Sequence, residues 1–208
     1  MSDVNQVIKE YKELKPLDRL YIKLRWHLCP FDAIEKNVPK KGFIIDFGCG
    51  YGILANLLSL KSNKRKVIGL DLSKKRIIIA KKSERKNKNL VFVKADLTKS
   101  KIDKADAIAM TDFLHHIDYK DQEKLIEKLR NKLNKNGKLI ILDINKSKRL
   151  KYFFTVLLDR TLNYGEKAYY RTENDMKKML EKNGFKVERT MADKGLPMPD
   201  ILFIATKK

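Results

Sequence analysis

Seven short apolar runs alternate with helical stretches along the chain, and this order constrains the fold more than any other feature. Most of the runs are continuously apolar, as is typical of strands that are covered on both faces. The order therefore predicts an α/β sandwich with a mostly parallel sheet. The predicted strands span residues 43–47, 66–71, 90–96, 106–111, 138–144, 185–191 and 200–206.

Helical periodicity fills the stretches between these runs and the start of the chain. Residues 1–41 are predicted to be helical, because apolar side chains recur at helical spacing before Pro30. These side chains are Leu17, Leu20, Tyr21, Leu24 and Leu28. Further helices are predicted over residues 53–60, after Ser73 as N-cap, over residues 121–133, and from Thr172, which forms a capping box with Asp175, to a stop at Gly184.

The stretch DFGCGYG, residues 46–52, places three glycines directly after the first predicted strand. Glycines in such a loop let a ligand approach the backbone closely. A dinucleotide fingerprint requires G-x-G-x-x-G, whereas this loop reads G-x-G-x-G. A P-loop requires Gly-Lys-Ser/Thr, which does not follow here. The spacing therefore disfavours a phosphate as the group that the loop contacts.

Acidic residues end three successive predicted strands, namely Asp46, Asp71 and Asp96. Because the carboxyl ends of parallel strands meet at one edge of the sheet, we expect these side chains to line one crevice. An acid at the tip of the second strand is placed to accept hydrogen bonds from ribose hydroxyls, and Asp96 from an adenine amino group. Any one of them alone is equally consistent with a turn or a helix cap, but the set predicts an adenosine-containing cofactor.

The segments DFGCGYG, GLDLS, VKADL and MTDFLHHI together resemble the class I S-adenosylmethionine-dependent methyltransferases. The resemblance covers residues 40–145, and the segments FKVERTM and DILFIATKK resemble that family's closing strand pair. It implies a Rossmann-like three-layer sandwich with a seven-stranded sheet whose last strand is antiparallel. It also implies one domain, 1–208, with a helical cap (1–41), a cofactor-binding core (42–145), a substrate-side insertion (146–171) and a C-terminal helix with a strand pair (172–208).

The resemblance implies S-adenosyl-L-methionine as cofactor and S-adenosyl-L-homocysteine as product. The glycine loop would surround the methionine part, Asp71 would hold the ribose, and the residues after the third strand would flank the adenine. The implied cofactor-binding residues are Asp46, Gly48, Cys49, Gly50, Gly52, Asp71, Leu72, Asp96, Leu97 and Thr111. Carboxylates at the strand ends suit a ligand with positive character, and no metal site is expected.

Methyl transfer from a sulfonium is an in-line displacement, so alignment and exclusion of water are the protein's main contributions. A general base is needed only when the acceptor arrives protonated. His115 and His116 follow the fourth predicted strand and Asp112 lies at its end, so these three are the candidate catalytic residues. The structural alternative for the histidine pair is a loop-to-helix transition with one packed ring and one solvated ring.

Two segments are expected to cover the acceptor, the N-terminal helical region and the long connection 146–171. Their aromatic and arginine side chains favour a small-molecule or lipid-like acceptor, although for any single aromatic, taken alone, packing on the core is the favoured interpretation. The candidate substrate residues are Tyr21, Arg25, Trp26, Tyr152, Tyr169 and Tyr170. The run KYFFTVLL, residues 151–158, is too short to span a bilayer but suits a peripheral membrane contact.

The formal net charge of +21 allows two interpretations. One is a polyanionic partner, RNA or an anionic membrane. The other is a lysine-rich composition, which the scatter of lysine through nearly every segment favours. An RNA methyltransferase therefore stays the main alternative, with Asp112 and Lys146 compatible with ribose methylation. A non-catalytic cofactor-binding protein and a nicotinamide-dependent oxidoreductase are the remaining alternatives.

The two cysteines, Cys29 and Cys49, have no metal-ligand spacing. The first residues, MSDVNQVIKEYKELK, contain no apolar stretch typical of a signal peptide. We therefore expect reduced thiols and a cytoplasmic location.

Overall fold

The computed structural model describes residues 3–83, 88–96, 98–146, 167–192 and 198–208. The helices are α1 (Asp3–Glu10), α2 (Pro16–Leu28), α3 (Phe31–Asn37), α4 (Ile53–Lys61), α5 (Lys74–Lys81), α6 (Tyr119–Asn131) and α7 (Glu173–Lys182). The strands are β1 (Gly42–Phe47), β2 (Arg65–Asp71), β3 (Leu90–Lys94), β4 (Ala105–Thr111), β5 (Leu133–Ile144), β6 (Phe185–Met191) and β7 (Asp200–Lys207). A 3₁₀ turn, Leu114–His116, lies between β4 and α6.

The seven strands form one sheet in the order β3-β2-β1-β4-β5-β7-β6. Six of them are parallel, and β7 runs antiparallel to its neighbours β5 and β6. Since β1 pairs with both β2 and β4, the strand order reverses at β1 and opens a crevice beyond the carboxyl ends of β1 and β4. The predicted Rossmann-like sheet with an antiparallel last strand is confirmed.

Helices cover both faces of the sheet and produce two apolar cores. Successive strand residues point to opposite faces, so Ile44 joins the core under α1–α5 and Ile45 joins the core under α6 and α7. This arrangement confirms the predicted three-layer sandwich. No helix in the described ranges is long and apolar enough to cross a membrane.

Side-chain caps mark the starts of two predicted helices. Ser73 caps α5 by accepting from the Arg76 N–H at 3.3 Å, and Thr172 caps α7 by accepting from the Asp175 N–H at 3.2 Å, as predicted. The predicted end of α6 at Leu133 is wrong. The helix ends at Asn131, because Leu133 pairs with Ala105 and opens β5.

The third strand and the N-terminal helices differ from the prediction in one respect each. β3 ends at Lys94 rather than at residue 96, since the Asp96 carboxylate bonds Thr98 and turns the chain. Three helices lie within residues 3–37, with breaks at residues 11–15 and 29–30, and the apolar spacing did not identify the buried face of α2. Ile22 and Trp26 are buried, whereas Leu17 is 80% exposed.

Candidate functional site

A cavity of ≈ 260 Å³ opens at the carboxyl ends of β1, β2 and β3. Its volume lies just below the range of about 300–1,000 Å³ that ligand pockets occupy, so it accommodates one part of an extended ligand. Four predicted cofactor residues, Gly48, Asp71, Leu72 and Asp96, line it. The side facing them is formed by Phe113, Ile117 and the α6 residues Asp121, Lys124, Leu125 and Lys128.

All three loop glycines have left-handed backbone, with φ of 75° at Gly48, 55° at Gly50 and 82° at Gly52. A Cβ at Gly48 would lie 2.7 Å from the Phe113 ring, and one at Gly52 would lie 2.4 Å from the Phe92 ring. A Cβ at Gly50 would meet no atom within 4 Å. Protein packing therefore requires Gly48 and Gly52, while the backbone of Gly50 borders open space.

Asp71 ties the glycine loop to the end of β2. Its Oδ2 accepts the Gly50 N–H at 2.9 Å, and its Oδ1 accepts the Ser73 N–H at 2.8 Å. Each carboxylate oxygen has a second lone pair, so both can still accept from a ligand hydroxyl. The side chain is thus held rigidly at the cavity wall with acceptor capacity remaining.

Asp46 lies beneath the loop, 2% exposed, and its Oδ2 accepts the Ala55 N–H at 3.1 Å. Burial raises the pKa of this carboxyl to about 7; the Ala55 N–H lowers it and the neighbouring charge of Asp71 raises it further. A cation placed near this carboxyl would favour its ionised form.

Two other predicted cofactor residues have local roles, and one is not described. Asp96 Oδ1 accepts both the backbone N–H and the hydroxyl of Thr98, at 2.9 and 2.7 Å. Burial works to raise the pKa of Asp96, but these two bonds and Lys99 bring it below its usual value. Burial and the charges of Asp46 and Asp71 raise the pKa of the Cys49 thiol far above its usual value, which disfavours the nucleophilic thiolate. Leu97 lies outside the described residues.

The end of β4 carries strain and polar atoms without partners. Asp112 has a left-handed φ of 46°, which is unfavourable for a residue with a Cβ, and its N–H donates to the Leu142 carbonyl at 3.0 Å. Its Oδ2 pairs with Nη2 of Arg25 from α2 at 2.5 Å. Asp112 Oδ1 and Thr111 Oγ1 are buried and have no hydrogen-bond partner in the part of the chain that the structure describes. Buried polar atoms in this state are suited to a ligand.

The two histidines differ sharply in their surroundings. His115 is 5% exposed, and its Nδ1 lies 2.6 Å from Oδ1 of Asp143, which is also buried. The Tyr170 ring stacks on the His115 ring at 4.6 Å between centroids. His116 is exposed. One packed ring and one solvated ring were expected from a loop-to-helix transition, but the paired carboxylate adds a feature that packing alone does not require.

The predicted substrate residues are not all brought together. Arg25 reaches Asp112, Tyr170 covers His115, and the Tyr169 N–H donates to the His115 carbonyl at 2.7 Å. Tyr21 packs on Tyr51 of the glycine loop at 4.9 Å between centroids. Trp26 is buried against Phe31, as the core-packing alternative expected. Tyr152 and the run 151–158 lie outside the described residues.

The sequence reasoning missed three kinds of site residue. Asp143 interrupts the apolar run LIILDI near the end of β5, and the rule that selected the other strand-end acids would have found it. Phe113 follows Asp112 and packs on Phe47 at 5.1 Å between centroids, with no signal besides its position. The lysines of α6 carry no pattern beyond an ordinary solvated helix face. Within the described ranges, no three His, Cys, Asp or Glu side chains are grouped as metal ligands.

The strand order and the cavity at its reversal define a Rossmann-like cofactor-binding domain. Residues 25–190 match the methyltransferase domain family. The chain belongs to this family, and it is an S-adenosylmethionine-dependent methyltransferase. The class and the cofactor expected from the sequence are therefore confirmed.

Known relatives are similar along most of the chain. An uncharacterized methyltransferase of Bacillus cytotoxicus is 29% identical over 169 residues, which cover 77% of this chain and 78% of the relative. Magnesium protoporphyrin IX methyltransferase of Synechocystis PCC 6803, solved with bound SAH, has a TM-score of 0.71 at 22% identity, covering 99% of this chain and 94% of that chain. Human N-acetylserotonin methyltransferase in complex with SAM has a TM-score of 0.70 at 17% identity, and the match covers 85% of this chain and 51% of that chain. At these identities the two solved structures show the shared fold.

Proposed function

We propose that this methyltransferase acts on a hydroxyl of a small-molecule or lipid-like acceptor, with His115 as general base. The observation that carries the proposal is the buried contact between His115 Nδ1 and Asp143 Oδ1 at 2.6 Å. His115 lies three residues after the strained Asp112. A hydroxyl holds its proton at neutral pH, so its methylation benefits from a positioned base. A nucleophile that arrives unprotonated would need no such pair.

Asp143 supports the base in two ways. By accepting the Nδ1–H it fixes the tautomer in which Nε2 carries the lone pair that receives a proton. Its negative charge also stabilises the imidazolium that forms when His115 accepts that proton. Burial of both side chains strengthens this interaction, since water does not screen it.

The residues around the crevice fit the methyl donor. S-adenosylmethionine, when bound, supplies an electrophilic methyl group on a positively charged sulfur. We infer that Gly50, whose backbone borders open space, lies beside its methionine part, and that Asp71 and Asp96 in the cavity wall accept from its ribose and adenine. The partnerless Thr111 Oγ1 and Asp112 Oδ1 are suited to accept from a donor group of the cofactor or the acceptor.

The class of acceptor is inferred from the aromatic side chains near His115. Tyr170 stacks on the His115 ring. Tyr169, the preceding residue, packs its ring against Tyr119 at 5.5 Å between centroids. Stacked aromatic rings are typical of pockets for apolar or aromatic small molecules. Two structural neighbours are named for such acceptors, magnesium protoporphyrin IX and N-acetylserotonin. RNA remains the alternative on the strength of the net charge of +21.

The acceptor is tested by supplying radiolabelled S-adenosylmethionine with three separate extracts: small metabolites, lipids and total RNA. We expect label in the metabolite or lipid fraction and none in RNA. His115→Gln should abolish this incorporation, whereas His116→Gln, a matched change at the exposed neighbour, should retain it. Incorporation into RNA alone, or full activity of His115→Gln, would refute the proposal.

A further inference from the structure

Four large apolar side chains of α2 face solvent together. Leu17 is 80% exposed, Leu20 52%, Tyr21 49% and Leu24 55%. They occupy positions i, i+3, i+4 and i+7 of the helix and therefore form one continuous stripe along it. We refer to these four residues as the outer stripe.

The outer stripe is not needed to hold α2 on the protein. Ile22 and Trp26, on the opposite side of the helix, are 1% and 7% exposed and join the core under α1–α5. The helix α2 thus packs on the protein through one apolar face and exposes a second apolar face to solvent. Single exposed apolar residues are ordinary, but a contiguous exposed patch rimmed by polar residues marks a surface that contacts something else.

The two borders of the outer stripe carry different chemistry. Helical geometry places Arg19 and Lys23 along one border, and both are exposed. Asp18 and Arg25 lie along the other border, where Arg25 pairs with Asp112 at 2.5 Å. Tyr21 itself packs on Tyr51 of the glycine loop. The stripe therefore runs between a basic border and the mouth of the methyl-transfer site.

We propose that the outer stripe binds the surface of an anionic phospholipid bilayer. The leucines and Tyr21 enter the boundary between headgroups and acyl chains, and Arg19 and Lys23 contact the lipid phosphates. A basic border beside an apolar stripe is complementary to this surface, which presents negative charge above hydrocarbon. The excess of basic residues over the whole chain, +21, adds a long-range attraction of the same sign.

A second copy of the chain fits the same surface less well. In a twofold contact between antiparallel α2 helices each border meets itself, so Arg19 and Lys23 would approach the equivalent side chains of the other copy. Those like charges repel, and the acidic Asp18 lies on the opposite border of the stripe. Binding to lipid does not depend on the proposed base chemistry, but it would bring the site beside acceptors that are dissolved in the bilayer.

Vesicle sedimentation tests this with the full chain and no cofactor. The probes are unilamellar vesicles of equal parts phosphatidylglycerol and phosphatidylcholine, and of phosphatidylcholine alone, at low salt. We expect the protein to sediment with the anionic vesicles and to remain largely in solution with the neutral ones. Leu20→Gln combined with Leu24→Gln should weaken anionic binding at least tenfold, and Arg19→Gln combined with Lys23→Gln at least fivefold.

Val91→Gln provides the matched control, because Val91 is 44% exposed on the edge strand β3 and belongs to no stripe. It should bind vesicles as the unchanged protein does, and circular dichroism should show that every variant keeps its helical content. The inference is overturned if the unchanged protein stays in solution with anionic vesicles, or if the leucine double variant binds as tightly as the parent. It is also overturned if light scattering shows a dimer that the leucine changes dissociate and vesicles bind neither form.

Discussion

The proposed donor half and the proposed acceptor half of the site differ in how far apart in the sequence their bonded residues lie. On the donor side, around β1 to β3, two carboxylates accept hydrogen bonds from residues close by in the sequence. Asp71 accepts the N–H of Ser73, two residues further on, and Asp96 accepts the N–H of Thr98. On the acceptor side, around β4 and β5, the pairs join distant segments. Arg25 and Asp112 are 87 residues apart, and His115 and Asp143 are 28 apart. The donor half thus relies mainly on short-range bonds, apart from the bond between Asp71 and the Gly50 N–H, whereas the acceptor half relies on contacts between segments far apart in the sequence.

The sharpest separation of the two halves is expected from His115→Gln. Loss of a general base lowers kcat by about 10²- to 10⁴-fold, while the donor half is untouched. Calorimetry should therefore give an unchanged affinity for S-adenosylhomocysteine. His116→Gln serves as control and should retain kcat within a few fold. A parallel loss of cofactor affinity in His115→Gln would show that the two halves are not separable.

Within the donor half, Gly52→Ala and Gly50→Ala distinguish folding from binding. At Gly52 the new Cβ would lie 2.4 Å from the Phe92 ring, and the alanine would have to keep a left-handed φ. We therefore expect a loss of about 2–5 kcal/mol in unfolding free energy. At Gly50 only the backbone strain remains, about 1–2 kcal/mol. Gly50→Ala should instead reduce S-adenosylhomocysteine affinity by filling the open space. Urea unfolding and calorimetry measure the two effects, and equal destabilisation by both changes would contradict the assignment.

Asp46 makes the stability of the donor half depend on pH. Its pKa rises from 3.8 to about 7 on folding, so the folded chain binds this proton more tightly than the unfolded chain. The resulting stabilisation is complete below pH ~4 and is lost progressively as the pH rises to ~7, an effect of about 4 kcal/mol. Asn cannot titrate, so the stability of the parent relative to Asp46→Asn should fall across this range in urea unfolding. Parallel pH profiles for the two proteins would exclude the shifted carboxyl.

The smallest of the expected effects is on cofactor binding in Asp71→Ala. The change removes acceptors for the Gly50 and Ser73 N–H groups and for a ligand hydroxyl. We expect S-adenosylhomocysteine affinity to fall by more than tenfold, about 1.4 kcal/mol or more, with kcat at saturating cofactor changed much less. Unchanged affinity in calorimetry would remove Asp71 from the donor half.

The same contrast explains what the sequence could predict. The sheet followed from apolar runs and their alternation with helices, and the glycine loop with Asp71 and Asp96 followed from position along single strands. The pairing of His115 with Asp143 could not be predicted, because a contact between side chains on different elements produces no periodic pattern in the sequence. The orientation of α2 was equally hidden. A helix that is apolar on two sides gives the same spacing whichever side is buried.

The position of β7 has a consequence for biosynthesis. Among the described strands, β6 pairs with the sheet only through β7, although β7 follows it in the sequence. β1, β2 and β4 find their neighbours as they leave the ribosome, whereas β6 emerges before its only pairing partner exists. Until β7 inserts between β5 and β6, two strand edges stay open to other nascent chains. We therefore expect the insertion of β7 to be the step of folding that completes the sheet.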